Sequence, residues 1–209
     1  MGNPPRWYFD FISPFAYLQW PRIRALMCER EVELVPIVLA AVLAARGQKG
    51  PAEIPGKREF TYRHVLWQAR EQGIALRLPP AHPFNPIAAL RLCIAAGTTT
   101  ASIDAIFNWI WARGEAGDSN EALAPVAAAV GIDRAAIDDG ATKLALRVNT
   151  DAALAEGVFG VPTLAVGGQL FWGLDAHAFA LAVLHDPDVL ADAEMQRITA
   201  LPVAAVLRG

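Results

Sequence analysis

Ser13-Pro14 joins an apolar run, Trp7-Tyr8-Phe9-Asp10-Phe11-Ile12, to the start of a helical segment. Ser is a preferred N-cap and Pro a preferred first helical residue. The spacing therefore predicts a strand that hands directly to a helix whose unpaired N–H groups point past Ser13. Such an end favours an anion, a thiolate included. Ser13-Pro14-Phe15-Ala16 holds no cysteine, and neither Cys28 nor Cys93 is close to it in sequence. Dithiol exchange is not expected at this turn. A sulfur acting here would have to come from a ligand.

A second candidate is Gly157-Val158-Phe159-Gly160-Val161-Pro162-Thr163, where a Gly-bounded turn puts Pro162 at the first position of a strand. A cis Val161-Pro162 peptide is a rational expectation there, and an ordinary edge strand beginning with Pro is the plainer one. Asp175 is placed to cap a last helix, Ala176 to His185, with Leu174 and Phe179 as its hydrophobic staple. Lys57 ends a Gly/Pro-rich loop, Gly47 to Lys57. Taken singly, each has an ordinary structural reading. Ser13 and Asp175 read as caps and Lys57 as a solvated charge. Asn85 before Pro86 sets a turn. Trp109, Trp111 and Trp172 read as core or lining. What singles them out is their occurrence together in one order.

The elements that must position them follow from periodicity. A helix from Pro14 to about Glu29 contains Pro21, which removes one hydrogen bond and predicts a kink. Val32 to Val38 reads as a buried strand and Leu39 to Ala45 as a short helix. Arg58 to Gln72 looks helical, and Leu76 to Pro86 is Pro-rich and extended. Helices are predicted over 87–96, 100–113, 121–130 and 141–156, separated by glycines. Strands return at 161–166 and 169–172, with Gly167-Gly168 as a two-residue hairpin turn. The tail from Pro187 starts helical. Four helices in a row do not fit an alternating βαβ chain and read as an insertion.

Composition sets the outer limits. The chain has 209 residues, 54% of them hydrophobic, which is ample for one sizeable core. A net charge of −3 gives no sign of nucleic-acid binding. The four histidines are scattered without ligand spacing, so no metal site is expected. The longest apolar run, Leu34 to Ala45, is too short to span a bilayer, and the N-terminus lacks the pattern of a signal peptide. The expectation is a cytoplasmic protein with reduced cysteines.

The order of strand, helix, strand, helical block, helix, hairpin and helix is the thioredoxin topology with an all-helical insertion, as in DsbA-like proteins. Residues 1–45 and 141–209 would form the thioredoxin-like domain, and 46–140 the loop and helical insertion. Within that α/β class the chain resembles the family of 2-hydroxychromene-2-carboxylate isomerases and kappa-class glutathione transferases. Its matching stretches are Phe9 to Leu18, Gly47 to Lys57, Pro83 to Pro86, Gly157 to Thr163 and Gly168 to Asp175.

The resemblance implies glutathione as cofactor, with Ser13 donating its hydroxyl to the glutathione sulfur. Val161, preceding Pro162, would pair with the tripeptide backbone. Asp175 would hold the γ-glutamyl ammonium and Lys57 a glutathione carboxylate, with Gln48 and Leu174 contributing contacts. Gln48 and Gly50 stand where the family usually carries Asn and Pro. Leu174 stands where kappa transferases often place Ser, and Trp172-Gly173 looks more like the isomerase branch. Phe15, Asn85, Trp111 and Trp172 are candidates for the wall of a small aromatic substrate. The implied reaction is isomerisation of 2-hydroxychromene-2-carboxylate to trans-o-hydroxybenzylidenepyruvate, in a homodimer. Two alternatives stay open: a kappa-type transferase or peroxidase using the same glutathione site, and a thioredoxin-like binding module without chemistry.

Overall fold

A computed structural model describes residues 3–202; the last residues of the expected 141–209 segment, from 203 on, lie outside it. Strand β1, Arg6–Phe9, is aromatic and buried and leads after a short turn into helix α1, Pro14–Glu29. Strand β2, Glu33–Pro36, pairs with β1 in parallel, with Trp7 opposite Leu34. It is shorter than the 32–38 expected: the Ile37 N–H still reaches the Phe9 carbonyl at 2.9 Å, but the Val38 N–H goes to the Thr150 hydroxyl at 3.1 Å and the Leu39 N–H to Asp10.

Helices α2, Leu39–Ala45, and α3, Lys57–Glu71, flank a loop with one 3₁₀ turn at Pro51–Glu53. Lys57 opens α3 rather than ending the loop. The helical block then comprises α4, Ile87–Ala95, α5, Thr100–Phe107, α6, Ala124–Ala129, α7, Arg134–Ile137, and α8, Gly140–Ala155. The segment expected as one helix over 100–113 changes to a π-helical turn at Asn108–Ala112. The one expected over 121–130 begins only at Ala124, because Pro125 fits the first helical turn and not the interior. The short α7 is capped by Asp133, which accepts from the Ala135 N–H at 2.8 Å.

Strands β3, Thr163–Val166, and β4, Gln169–Trp172, form the expected hairpin, with Gly167 and Gly168 at φ +56° and +82°. Both central residues of a type I′ turn need positive φ, which glycine supplies without steric cost. The sheet order is β2-β1-β3-β4, with β3 antiparallel to β1 and Tyr8 opposite Thr163. Helix α9, His177–His185, follows, then a 3₁₀ turn at Pro187–Ala191 and α10, Ala193–Ile198.

Alternation along β1 divides the core. Trp7 and Phe9 enter a large cluster with Phe11, Trp20 of α1 and Phe107 of α5. Trp7 stacks on Phe9 at 4.4 Å between ring centroids, and Phe11 meets Phe107 edge-on at 4.8 Å. Tyr8 points the other way, to Val35, Ile37, Val42 and Val161. The first cluster continues through α4, α5 and α6, so the helical block and the sheet share one apolar interior. That sharing holds the β1–α1 turn in place from the helical side.

Candidate active site

The turn between β1 and α1 is Asp10-Phe11-Ile12-Ser13, closed by the Ser13 N–H donating to the Asp10 carbonyl oxygen at 3.1 Å. Ser13 is the N-cap of α1, and its hydroxyl oxygen accepts the Ala16 N–H at 3.2 Å. Because the oxygen is the acceptor, the hydroxyl proton is free to be donated elsewhere. No acidic residue lies in the first turn of α1, so no side-chain carboxylate there compensates the positive end of the helix dipole. The arrangement can hold one negative charge.

Beneath this turn sits Asp10, fully buried. Its Oδ1 accepts from the Ile12 N–H at 3.1 Å and its Oδ2 from the Leu39 N–H at 2.9 Å. Burial pushes its carboxyl up to about 7, against the opposing pull of those backbone donors. Asp10 lies beside the candidate site and was not singled out from the sequence. The available signal was a lone charge inside an otherwise apolar strand end, since a buried polar residue is the informative exception in a core.

The Val161-Pro162 peptide is cis, and β3 begins two residues later than expected, at Thr163 rather than at Val161. Continuing the β1–β3 register beyond Tyr8 and Thr163 sets Val161 opposite Asp10. The Val161 side chain is buried, while its backbone N–H and C=O make no backbone hydrogen bond among the described residues. They are disposed as one open rung of a strand. Trp172 lies over the preceding residue: a Cβ on Gly160 would fall 2.5 Å from its Nε1. Its indole is 53% exposed and tilts against Phe159 at 5.5 Å.

The β4–α9 turn comes to the same place. The Gly173 N–H donates to the Pro162 carbonyl at 2.8 Å, and the Gly173 carbonyl accepts from Gln19 of α1 at 3.3 Å. Gln19, fully buried, also accepts from the Trp7 indole at 2.7 Å. Leu174 is buried with Leu18, Val65 and Ala69. The structure corrects the expected role of Asp175. Helix α9 has Ala176 as its N-cap with no side-chain bond, and the His177 N–H is taken by the Leu174 carbonyl. The exposed Asp175 carboxylate instead folds towards Gly173, whose Cβ, if it had one, would lie 2.5 Å from Oδ1. The staple fails with the cap: Leu174 packs below α1, and Phe179 meets Phe171.

The remaining candidates divide by burial. Phe15 is half-buried on α1, with its ring 6.3 Å from His64 of α3. Gln48 and Lys57 are exposed, and Lys57 makes no ion pair among the described residues. Asn85 is exposed, and its Oδ1 accepts from the Ile87 N–H at 3.1 Å, which is a turn role. Trp111 is fully buried and donates its indole N–H to the Phe11 carbonyl at 2.8 Å. It supports the site turn from behind and presents no face to a substrate, contrary to its expected place in an aromatic wall. The structure sets Ser13 and Phe15 at the start of α1 and Val161 and Pro162 before β3, and it ties Pro162 to Gly173, between Trp172 and Leu174. It does not bring Asn85 or Trp111 to an open surface there.

Known proteins share this fold. The DSBA-like thioredoxin domain family matches residues 6–184. A 2-hydroxychromene-2-carboxylate isomerase of Pseudomonas putida is 32% identical over 177 residues, covering 80% of this chain and 87% of that protein. The protein of the same name from Sphingobium xenophagum is 30% identical over 191 residues, covering 86% and 96%. Among solved structures, a 2-hydroxychromene-2-carboxylate isomerase superposes with a TM-score of 0.76 at 26% identity, over 92% of this chain and 99% of that one. The cytosolic disulfide reductase DsbM of Pseudomonas aeruginosa reaches 0.58 at 18% identity over 95% and 100%, a likeness of fold alone.

Proposed function

This chain belongs to the DSBA-like thioredoxin family, among relatives that are 2-hydroxychromene-2-carboxylate isomerases, and from that premise we propose that it is a glutathione-dependent isomerase of aromatic catabolism. The substrate in this reading is 2-hydroxychromene-2-carboxylate, converted to trans-o-hydroxybenzylidenepyruvate. The observation that carries it is the Ser13 hydroxyl: its oxygen accepts from Ala16, and its proton is free at a helix start whose first turn holds no acidic residue.

The residues present fit glutathione. When bound, glutathione would supply a nucleophilic sulfur: its thiolate adds to the substrate, the ring C–O bond opens, a carbon–carbon bond rotates, and the thiolate leaves, regenerating glutathione. Ser13 donates its hydroxyl proton to that sulfur, and the α1 N-terminus stabilises the thiolate charge. An unperturbed cysteine thiol titrates near 8.5, so both effects enlarge its ionised share at neutral pH. Val161 offers its unpaired N–H and C=O to the tripeptide backbone, as an added strand would be met. The exposed Asp175 carboxylate faces the γ-glutamyl ammonium, and the exposed Lys57 a carboxylate. Gln48 and Leu174 complete the cradle. Phe15 and Trp172 provide apolar area for the aromatic ring.

The protein is taken to act in a reducing, cytoplasmic setting, in keeping with a buried free Cys93 whose thiol is pushed up to about 12 by burial. No helix among the described residues is long and apolar enough to cross a membrane. A homodimer belongs to the same proposal, and sedimentation of the purified chain tests it. The decisive assay follows 2-hydroxychromene-2-carboxylate with and without glutathione. Conversion that needs glutathione supports the proposal. Conversion without it removes the role of Ser13. Turnover confined to halogenated aromatics would favour the kappa-type transferase, and binding without turnover the non-catalytic module.

A further inference from the structure

Of the four peptide units between Phe9, the end of β1, and Ser13, the last two are each held at both polar ends. In the Phe11–Ile12 unit the carbonyl accepts the Trp111 indole N–H at 2.8 Å, and the N–H donates to Asp10 Oδ1 at 3.1 Å. In the Ile12–Ser13 unit the carbonyl meets His82 Nε2 at 2.9 Å, and the N–H donates to the Asp10 carbonyl at 3.1 Å. A peptide unit is planar, so fixing its oxygen and its hydrogen together fixes its rotation about the chain. The rotation of the second unit sets φ of Ser13, which is −90°, and with it the direction of the hydroxyl.

His82 is built for that contact. A carbonyl oxygen only accepts, so Nε2 must carry the ring proton. The other nitrogen, Nδ1, lies 2.9 Å from the Tyr62 hydroxyl. That hydroxyl also reaches the His82 carbonyl at 2.8 Å, but Arg58 already donates to the same carbonyl at 2.7 Å. With the ring proton on Nε2, Nδ1 can only accept, and the Tyr62 hydroxyl, whose one proton serves Nδ1 and the carbonyl, is a donor that suits the Nε2–H tautomer. Burial, with the nearby Arg58 charge, disfavours the imidazolium form. The ring is wedged edge-on between Tyr62, Phe84 and Trp111, at 5.4, 6.2 and 5.5 Å between centroids. It stands seventy positions from Ile12 in the sequence.

We propose that His82 is a positioning residue for the Ser13 site: its Nε2–H bond to the Ile12 carbonyl holds the peptide plane that aims the Ser13 hydroxyl. Its catalytic consequence rests on the glutathione reading above, while the geometric claim does not.

The test compares His82→Phe, which keeps a ring but no donor, with His82→Gln, whose amide nitrogen falls where Nε2 stood. In the ligand-free proteins, amide hydrogen exchange at Ser13 and Ala16 is expected to quicken about tenfold in His82→Phe, the size of one net hydrogen bond, and to return most of the way in His82→Gln. With glutathione bound, the thiolate absorbance of His82→Phe is expected to appear at higher pH and kcat to fall, with KM little changed. Equal exchange in both variants and the unaltered protein would overturn the proposal. So would equal damage in both variants, which would mark a packing role. If the unaltered protein fails to bind glutathione, the proposed function falls and the exchange comparison still decides the role of His82. Should His82→Phe not fold, Tyr62→Phe carries the same readout: faster Ser13 exchange supports the proposal, and unchanged exchange overturns it.

Discussion

Gly173 donates its backbone N–H to the Pro162 carbonyl oxygen across 2.8 Å, joining the start of β3 to the turn that carries Asp175. Gly173 has φ +99°, and a methyl group there would meet Asp175 Oδ1 at 2.5 Å. Gly173→Ala is therefore strained in its backbone and pushes the Asp175 carboxylate away. The expected cost is about 1–2 kcal/mol of stability and roughly tenfold weaker glutathione binding. Denaturant unfolding and a fluorescence titration check the two parts separately.

Ser13→Ala removes one cap and one donor. Loss of the cap costs about 1 kcal/mol of stability, which leaves the fold intact. Loss of a hydrogen bond to a charged sulfur, at about 1.5–3 kcal/mol, lowers kcat/KM roughly ten- to a hundredfold. An unchanged thiolate absorbance in this variant would remove Ser13 from the mechanism.

The Asp10 carboxyl, raised by burial to about 7, makes stability depend on pH in a definite direction. Above about pH 4 the unfolded chain has lost this proton, while the folded chain keeps it up to about pH 7. The folded state binds more protons in that window, so this group's contribution falls as pH rises through it. The slope approaches about 1.4 kcal/mol per pH unit at most, and flattens above the folded value. Asp10→Asn abolishes the decline and leaves one of the Ile12 and Leu39 N–H groups without an acceptor. Urea unfolding of both proteins across the window gives the difference. A difference constant with pH would contradict the buried neutral acid.

Trp111 and Trp172 are expected to separate cleanly. Trp111→Phe removes a fully buried donor and opens space, at about 2–4 kcal/mol of stability, with KM for the aromatic substrate near its original value. Trp172→Leu changes a half-exposed side chain, within about 1 kcal/mol, and raises that KM severalfold. Thermal melts beside Michaelis curves read both. The opposite pattern would return Trp111 to the substrate wall.

The features visible in sequence were those decided by neighbouring atoms. Ser13-Pro14 starts a helix because capping and a fixed φ act within one turn. Gly167-Gly168 forms a hairpin for the same local reason. Asp175 looked like another such cap, but the Leu174 carbonyl takes the His177 N–H and α9 starts at His177, so its carboxylate is left to face Gly173. What no local pattern encodes is the grip on the site turn from afar. Trp111 lies a hundred positions from Phe11, and His82 sits in a Pro-rich stretch with no periodicity. Their partners are backbone carbonyls, which every residue carries and no sequence distinguishes.

With serine at position 13, the helix start has no atom that peroxide can convert. The sulfenic to sulfonic series begins from a thiolate, and the chain places its two thiols elsewhere. Cys93 is buried, and Cys28 lies fifteen residues along α1, about 20 Å by helical rise. Under the proposed chemistry, an oxidant meets sulfur at this helix start only in the bound small-molecule partner. Activity lost by draining the reduced pool of that partner would return as the pool refilled.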